Sequence, residues 1–187
     1  MSSRSGQVMS LKSSAKRASV SIRSETAGRA GEYAAIRTVN AAAFGGSEEA
    51  DLVDGLRAGE YVLISLVAEL EGAIVGHTMF SRMWIQTPQE RVSAVALAPV
   101  AVLPEHQRKG IGSLLIQRGL ELLRDRREKI VIVLGHPEYY PRFGFSTGAA
   151  KSLESPFPRE AFMAMELSAG ALEGIRGSVV YPPPFGI

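Results

Sequence analysis

The 187-residue chain contains no cysteine. That excludes disulfides, thiolate nucleophiles, Cys-ligated zinc and iron–sulfur clusters, and it fits a reducing cytoplasm. Histidine is scarce as well: His77, His106 and His136 are scattered and none forms an HExxH pair, so no metal is expected. No apolar run approaches the ~20 residues of a membrane span, so no membrane partner is expected. An excess of one charge is also missing, because 21 Lys and Arg face 19 Asp and Glu for a net charge of +2. Much of that small excess sits in Arg4, Lys12, Lys16, Arg17 and Arg23. Without an aromatic-basic pattern to go with it, a nucleic-acid partner is not expected.

Residues 1–19 are rich in Ser and Lys/Arg and lack the apolar stretch of a secretory signal, although an Arg/Ser-rich, acid-poor leader would also suit an organelle transit peptide. They are expected to form a disordered N-terminal tail. What remains is ordinary for a folded protein: 45% hydrophobic and 21% charged residues, enough for one well-buried domain over 20–187.

The order of elements is readable from periodicity. Val20 to Arg23 predicts a strand, and Tyr33, Ile36, Val39, Ala43 and Phe44 recur at helical spacing within 32–44. Ser47, Glu48 and Glu49 read as a cap and acidic first turn for a second helix that stops near Gly59. Residues 62–68 and 73–80 flank Glu69-Leu70-Glu71-Gly72 and predict an antiparallel hairpin. A stretch over 92–103 is interrupted by Pro99, which has no amide proton and should break the ladder. The amphipathic segment 110–127 and the β-branched run 130–134 complete a βαβ unit. Beyond Pro137 come a short helical turn, a break at Gly144-Phe145, and strands near 162–167 and 178–181. The fold class is α/β (α+β), with a mixed sheet.

The segment between strand and helix, Gln107-Arg108-Lys109-Gly110-Ile111-Gly112, carries the most information. Its glycines permit a tight turn that aims the first amides of the helix at an anion, with Arg108 and Lys109 adding charge. A Walker A loop would need GK[ST], and a dinucleotide fingerprint GxGxxG; neither is present.

These residues resemble the QxxGxG acetyl-CoA signature of the GNAT superfamily, and Val100-Ala101-Val102-Leu103-Pro104 resembles that family's fourth strand. Downstream, Tyr139-Tyr140-Pro141-Arg142-Phe143-Gly144-Phe145 is similar to the family's YxxxGF. The two motifs together are most similar to the YhbS-like branch of N-acetyltransferases. The resemblance implies a strongly twisted, mostly antiparallel sheet flanked by helices on both faces and splayed near Pro99. It implies that Val100 and Val102 pair with the pantetheine arm of acetyl-CoA, with Ala101 between them counted in the cofactor-binding stretch, and that Gln107, Arg108, Lys109, Gly110, Ile111 and Gly112 hold its pyrophosphate. Tyr140, four residues before Gly144, takes the position at which many members place the tyrosine that protonates the departing thiolate.

The implied reaction is acetyl transfer to a primary amine of a small molecule or peptide. The rival is a protein that holds acyl-CoA as a sensor without turnover. The stretch 93–102 contains no acid to serve as a base. Glu32, Glu48, Glu49, His77 and His136 are all candidates, and none is assigned, because an amine arriving neutral needs no dedicated base. Edge strands near the C-terminus offer a route to a homodimer.

Overall fold

β-Branched and apolar residues alternate or run together through most of this chain, and they pair into one eight-stranded sheet. The computed structural model describes residues 19–187; the expected tail lies outside them apart from Ser19. Strands are β1 (Ser21–Ser24), β2 (Val62–Leu70), β3 (Ala73–Gln86), β4 (Arg91–Val102), β5 (Ile130–Leu134), β6 (Leu153–Glu154), β7 (Phe162–Glu166) and β8 (Gly177–Val180). Helices are α1 (Glu32–Phe44), α2 (Glu48–Ala58) and α3 (Ile111–Asp125). The strand order is β1-β2-β3-β4-β5-β7, with β8 beside β3 and β6 beside β8. Only β4 with β5 and β6 with β8 are parallel.

The hairpin turn is tighter than its four-residue sequence candidate. Glu69 and Leu70 belong to β2, and only Glu71 and Gly72 turn, both with positive φ (51° and 84°), the geometry that matches the twist of a two-residue hairpin. At the start of α2, Ser47 does occupy the cap position, but its hydroxyl donates to the Asp51 carboxylate rather than accepting from a backbone amide. The two-residue β6 was not anticipated; so short a segment has no periodicity to detect.

Alternation along the strands sends one set of side chains to each face. Val95, Leu97, Val131 and Val133 join Leu115, Ile116 and Leu123 of α3 on one side. On the other, Val67 and Met79 meet Ile36, Val53 and Leu56 of α1 and α2. Beside these helices, the C-terminal segment lays Val179, Tyr181 and Phe185 over Met83, Ala96 and Ile132.

Helix α3 is seated unusually close to the sheet. A Cβ built on Gly119 would lie 2.0 Å from Cε2 of Phe80, a fully buried ring. Gly119 is therefore the notch that sets the height of α3 and of its N-terminus. Helix propensity alone would favour replacing Gly119; the overlap outweighs it. Gly119→Val should destabilise the protein by about 1–3 kcal/mol, read as a lower urea midpoint with unchanged slope.

Candidate active site

The parallel pairing of β4 and β5 is brief: it consists of Val95 with Val131 and Ala96 with Ile132. Past Ala96 the ladder stops and the strands part. On its other side β4 stays paired to β3, with a register shift between Thr78/Val100 and Phe80/Leu97 that brackets Pro99. Thr78 Oγ1 donates to the Pro99 carbonyl at 3.0 Å and holds the irregularity in place.

The polar groups on the freed edge follow from hydrogen-bond alternation. The Leu103 amide donates to the Val75 carbonyl, so the polar groups of Ala101 face β3 and those of Val100 and Val102 face the gap. The side chain of Ala101 is fully buried and does not line the gap. The edge open to a ligand is therefore that of Val100 and Val102, with Ala101 between them turned to β3.

The gap widens into a cleft of about 1090 Å³ between β4, β5, the N-terminus of α3 and the Tyr139–Arg142 segment. At its α3 end, the first intrahelical bond runs from the Leu114 amide to the Gly110 carbonyl, which leaves the amides of Ile111, Gly112 and Ser113 without helical acceptors. Gly110 turns the chain with φ 86°, and Arg108 is held at φ 58°, the left-handed region that costs a non-glycine residue about 1–2 kcal/mol. Strain of this kind tends to gather at ligand-binding turns.

Gln107 and Lys109 serve differently from Arg108. Gln107 Nε2 donates to the Val102 carbonyl at 3.0 Å, bracing the turn against the end of β4. Lys109 Nζ donates back to the Glu105 carbonyl at 2.7 Å and does not line the cleft. Of the two basic side chains expected at the turn, the cleft receives only Arg108, together with half-buried His106.

Both tyrosines of the second motif reach the cleft. They stand edge to face, centroids 5.1 Å apart, Tyr139 capping and Tyr140 opening a single 3-10 turn (Tyr140–Phe143) that ends at Gly144 with φ 101°. The Tyr139 hydroxyl lies 3.4 Å from Ser113 Oγ, and Arg142 covers its ring at 4.5 Å. Tyr140 packs edge-on against Phe145 and lies flat where β5 ends, in a space that exists because residue 135 is glycine: a Cβ there would sit 2.1 Å from the Tyr140 ring. Burial, reinforced by Tyr139, pushes the Tyr140 phenol up to about 12, so it keeps its proton at neutral pH, and no described residue takes its hydrogen bond.

The base candidates separate cleanly. Glu32 is buried in an ion pair with Arg23, which holds its carboxyl below the usual carboxylate range, and it lies away from the cleft. Glu48 is exposed and outside the cleft. His77 is fully buried under α1: Asn40 donates to its Nδ1 at 3.0 Å, its Nε2 donates to Ser65 Oγ at 3.0 Å, and Ser65 donates to Glu25, which Arg57 pairs. It is a structural link. Glu49 and His136 do line the cleft. Among the described residues no cluster of metal-ligating side chains occurs.

Residues 26–148 match the family model for the acetyltransferase (GNAT) domain. The chain belongs to the GNAT acetyltransferase family. Its GNAT relatives include the uncharacterised N-acetyltransferase YjhQ of Escherichia coli, 44% identical over 126 residues that make up 66% of this chain and 70% of YjhQ. The uncharacterised N-acetyltransferase YhbS of the same bacterium is 34% identical over 145 residues, 76% of this chain and 86% of YhbS. The crystal structure of YhbS in complex with CoA superposes with a TM-score of 0.81 at 30% identity, covering 90% of this chain and 92% of that one. A GNAT acetyltransferase from Brucella melitensis in complex with acetyl-CoA gives 0.73 at 33% identity, covering 89% and 98%. The mixed, mostly antiparallel sheet with helices on both faces is the fold that these GNAT neighbours share.

Three positions went unnoticed in the sequence. Gly135, Phe157 and Tyr181 carry no motif to mark them, although all three line the cleft. The buried His77 has a consequence for stability. Burial first, and Arg57 second, lower its affinity for protons to a value of about 3. An unfolded chain protonates this histidine once pH falls below about 6.5, while the folded chain holds it neutral. Stability should therefore fall from pH 6.5 to 4.5, above the range of most carboxylates, and the slope of urea midpoint against pH should flatten in His77→Gln.

Proposed function

We propose that this GNAT protein moves the acetyl group of acetyl-CoA directly onto a primary amine of a small molecule or peptide, with Tyr140 as the general acid. One observation carries the reading: the unpartnered, protonated Tyr140 hydroxyl lies in the same cleft as an unpaired strand edge and a helix N-terminus with free amides. The residues fit the cofactor. Val100 and Val102 offer backbone groups to an extended amide-bearing arm. The Ile111, Gly112 and Ser113 amides, the positive end of α3 and the Arg108 guanidinium suit a pyrophosphate. Gln107 braces this turn, and Gly110 and Gly112 keep it open.

Acetyl-CoA supplies the activated acetyl group as a thioester. Tyr140 holds its proton at Oη and donates it as the sulfur departs, which keeps thiolate from accumulating as a strong nucleophile. A phenol held at about 12 is a reluctant acid in bulk terms. Burial raises the basicity of a thiolate in the same direction. The acceptor attacks as free amine, and of the base candidates Glu49 and His136 are the two that line the cleft. Residues 20–187 act as one catalytic domain on this reading. A cytoplasmic location suits both the cofactor and the absence of cysteine, and a homodimer would use the outer edge of β7, which a single bridge from Ser146 covers.

Two substitutions test the assignment. A Cβ on Gly112 would stand 3.1 Å from the Tyr139 hydroxyl and 3.7 Å from Val100 Cγ1, inside the cleft. Gly112→Val should weaken acetyl-CoA binding at least tenfold by calorimetry while the circular dichroism spectrum is retained; unchanged affinity would remove the turn from the site. Tyr140→Phe keeps the ring and deletes the donor, so turnover should fall by about 10²-fold with acetyl-CoA affinity preserved. Equal loss confined to Tyr139→Phe would transfer the role to Tyr139, and binding without any turnover would favour the sensor alternative.

A further inference from the structure

The cleft does not end at the tyrosines. Away from α3 it continues into a region walled by Phe44 at the end of α1, Glu49 and Leu52 of α2, and Phe157, Tyr181 and Phe185 of the C-terminal segment. Tyr181 links the last three: its ring centroid is 5.9 Å from that of Phe157, at 87°, and 4.9 Å from that of Phe185. The group is anchored to α2, since Pro184 lies 3.0 Å from where a Gly55 Cβ would be. Phe157, Tyr181 and Phe185 all lie beyond residues 26–148, the part that matches the family model.

Three features of this wall restrict what it can take. Its surface is aromatic and aliphatic, and Phe44 stays 47% exposed at its mouth, an apolar ring with nothing described to cover it. Glu49 is its single carboxylate among the described cleft-lining residues, which balances one ammonium but not several. The arginines of the cleft, Arg108 and Arg142, lie at the other end, by the α3 turn and over Tyr139. A phosphate- or carboxylate-bearing acceptor would find no counter-charge in this wall. The Tyr181 phenol, pushed up by burial and without a described hydrogen-bond partner, remains protonated as a donor.

Resting on the proposed N-acetyltransferase activity, we infer that the acceptor is a monoamine carried on a flat apolar group, an aromatic ring separated from its nitrogen by a short linker. The ring lies among Phe44, Phe157, Tyr181 and Phe185, where edge-to-face contacts favour it over an alkyl chain of equal area. That placement aims the nitrogen back along the cleft toward Tyr140. Free arylalkylamines and peptides with an aromatic N-terminal residue share this chemistry.

The test compares initial rates of thiol release with phenethylamine, phenylalaninamide, phenylalanyl-glycinamide, butylamine and spermidine, using the whole chain and acetyl-CoA. The expected result is kcat/KM at least about tenfold higher for an aromatic amine than for butylamine or spermidine; phenethylamine ahead of the dipeptide identifies a free amine, and the reverse a peptide. Phe44→Ala, at an exposed position that folding does not need, and Phe157→Ala should each raise KM for the preferred aromatic amine and narrow its advantage over butylamine, with acetyl-CoA affinity by calorimetry unchanged. Spermidine or butylamine as the best acceptor, or an aromatic preference untouched in both variants, would overturn the inference and leave the acetyltransferase assignment standing. Failure of acetyl-CoA to bind would overturn both.

Discussion

Everything at the site depends on the point at which β4 and β5 stop pairing. Two residues of parallel ladder join them, at Val95 and Ala96, and then the strands diverge. Two features mark the same stretch of β4 on its β3 side. Pro99 offers no amide, and the register shift around it turns the strand's distal half while Thr78 ties down the Pro99 carbonyl. The gap that results is lined on one side by backbone groups that have lost their partner strand. Unsatisfied buried backbone is costly, so the fold carries a standing preference for a ligand that can take those hydrogen bonds.

The height of α3 above this gap is the second constraint. Gly119 lets the helix settle onto Phe80, and the first residues of the same helix, Ile111, Gly112 and Ser113, line the cleft. Gln107 then fixes the turn to the last residue of β4. Strand edge and helix terminus are thus held at one spacing by the protein's own contacts, Gly119 on Phe80 beneath the helix and Gln107 on Val102 at the turn, which is how a site can be organised before its ligand arrives.

How much of this was written in the sequence depends on the range of the interactions. Helix 32–44, the βα turn at 107–112 and the buried run 130–134 are local patterns, legible from periodicity and from the spacing of the turn's glycines. The fold was legible through two motifs in order. The turn's labour was less so: that Gln107 braces, Lys109 faces back and Ala101 points to the opposite face are decided by strand alternation and by partners several residues away. Glu32 and His77 could not be set aside as bases from sequence, since only burial and their partners Arg23, Asn40 and Ser65 reveal that their hydrogen bonds are spent. The acceptor wall was least visible of all. The proposed wall brings Phe44 and Phe185, more than a hundred residues apart in sequence, to one cleft, and no local period encodes that.

An unpaired strand edge is elsewhere a hazard, because it can recruit another polypeptide and seed intermolecular sheet. Here the exposed edge of β4 lies inside a fork. The returning β5 closes one end and the Gln107 amide occupies the Val102 carbonyl at the other, so the accessible stretch is too short and too deeply set for a foreign strand to enter in register. A thin, flexible chain entering end-on can still thread it. The same geometry that leaves the edge open therefore acts as a sieve on cross-section, admitting a slender ligand and refusing the aggregation that open edges invite.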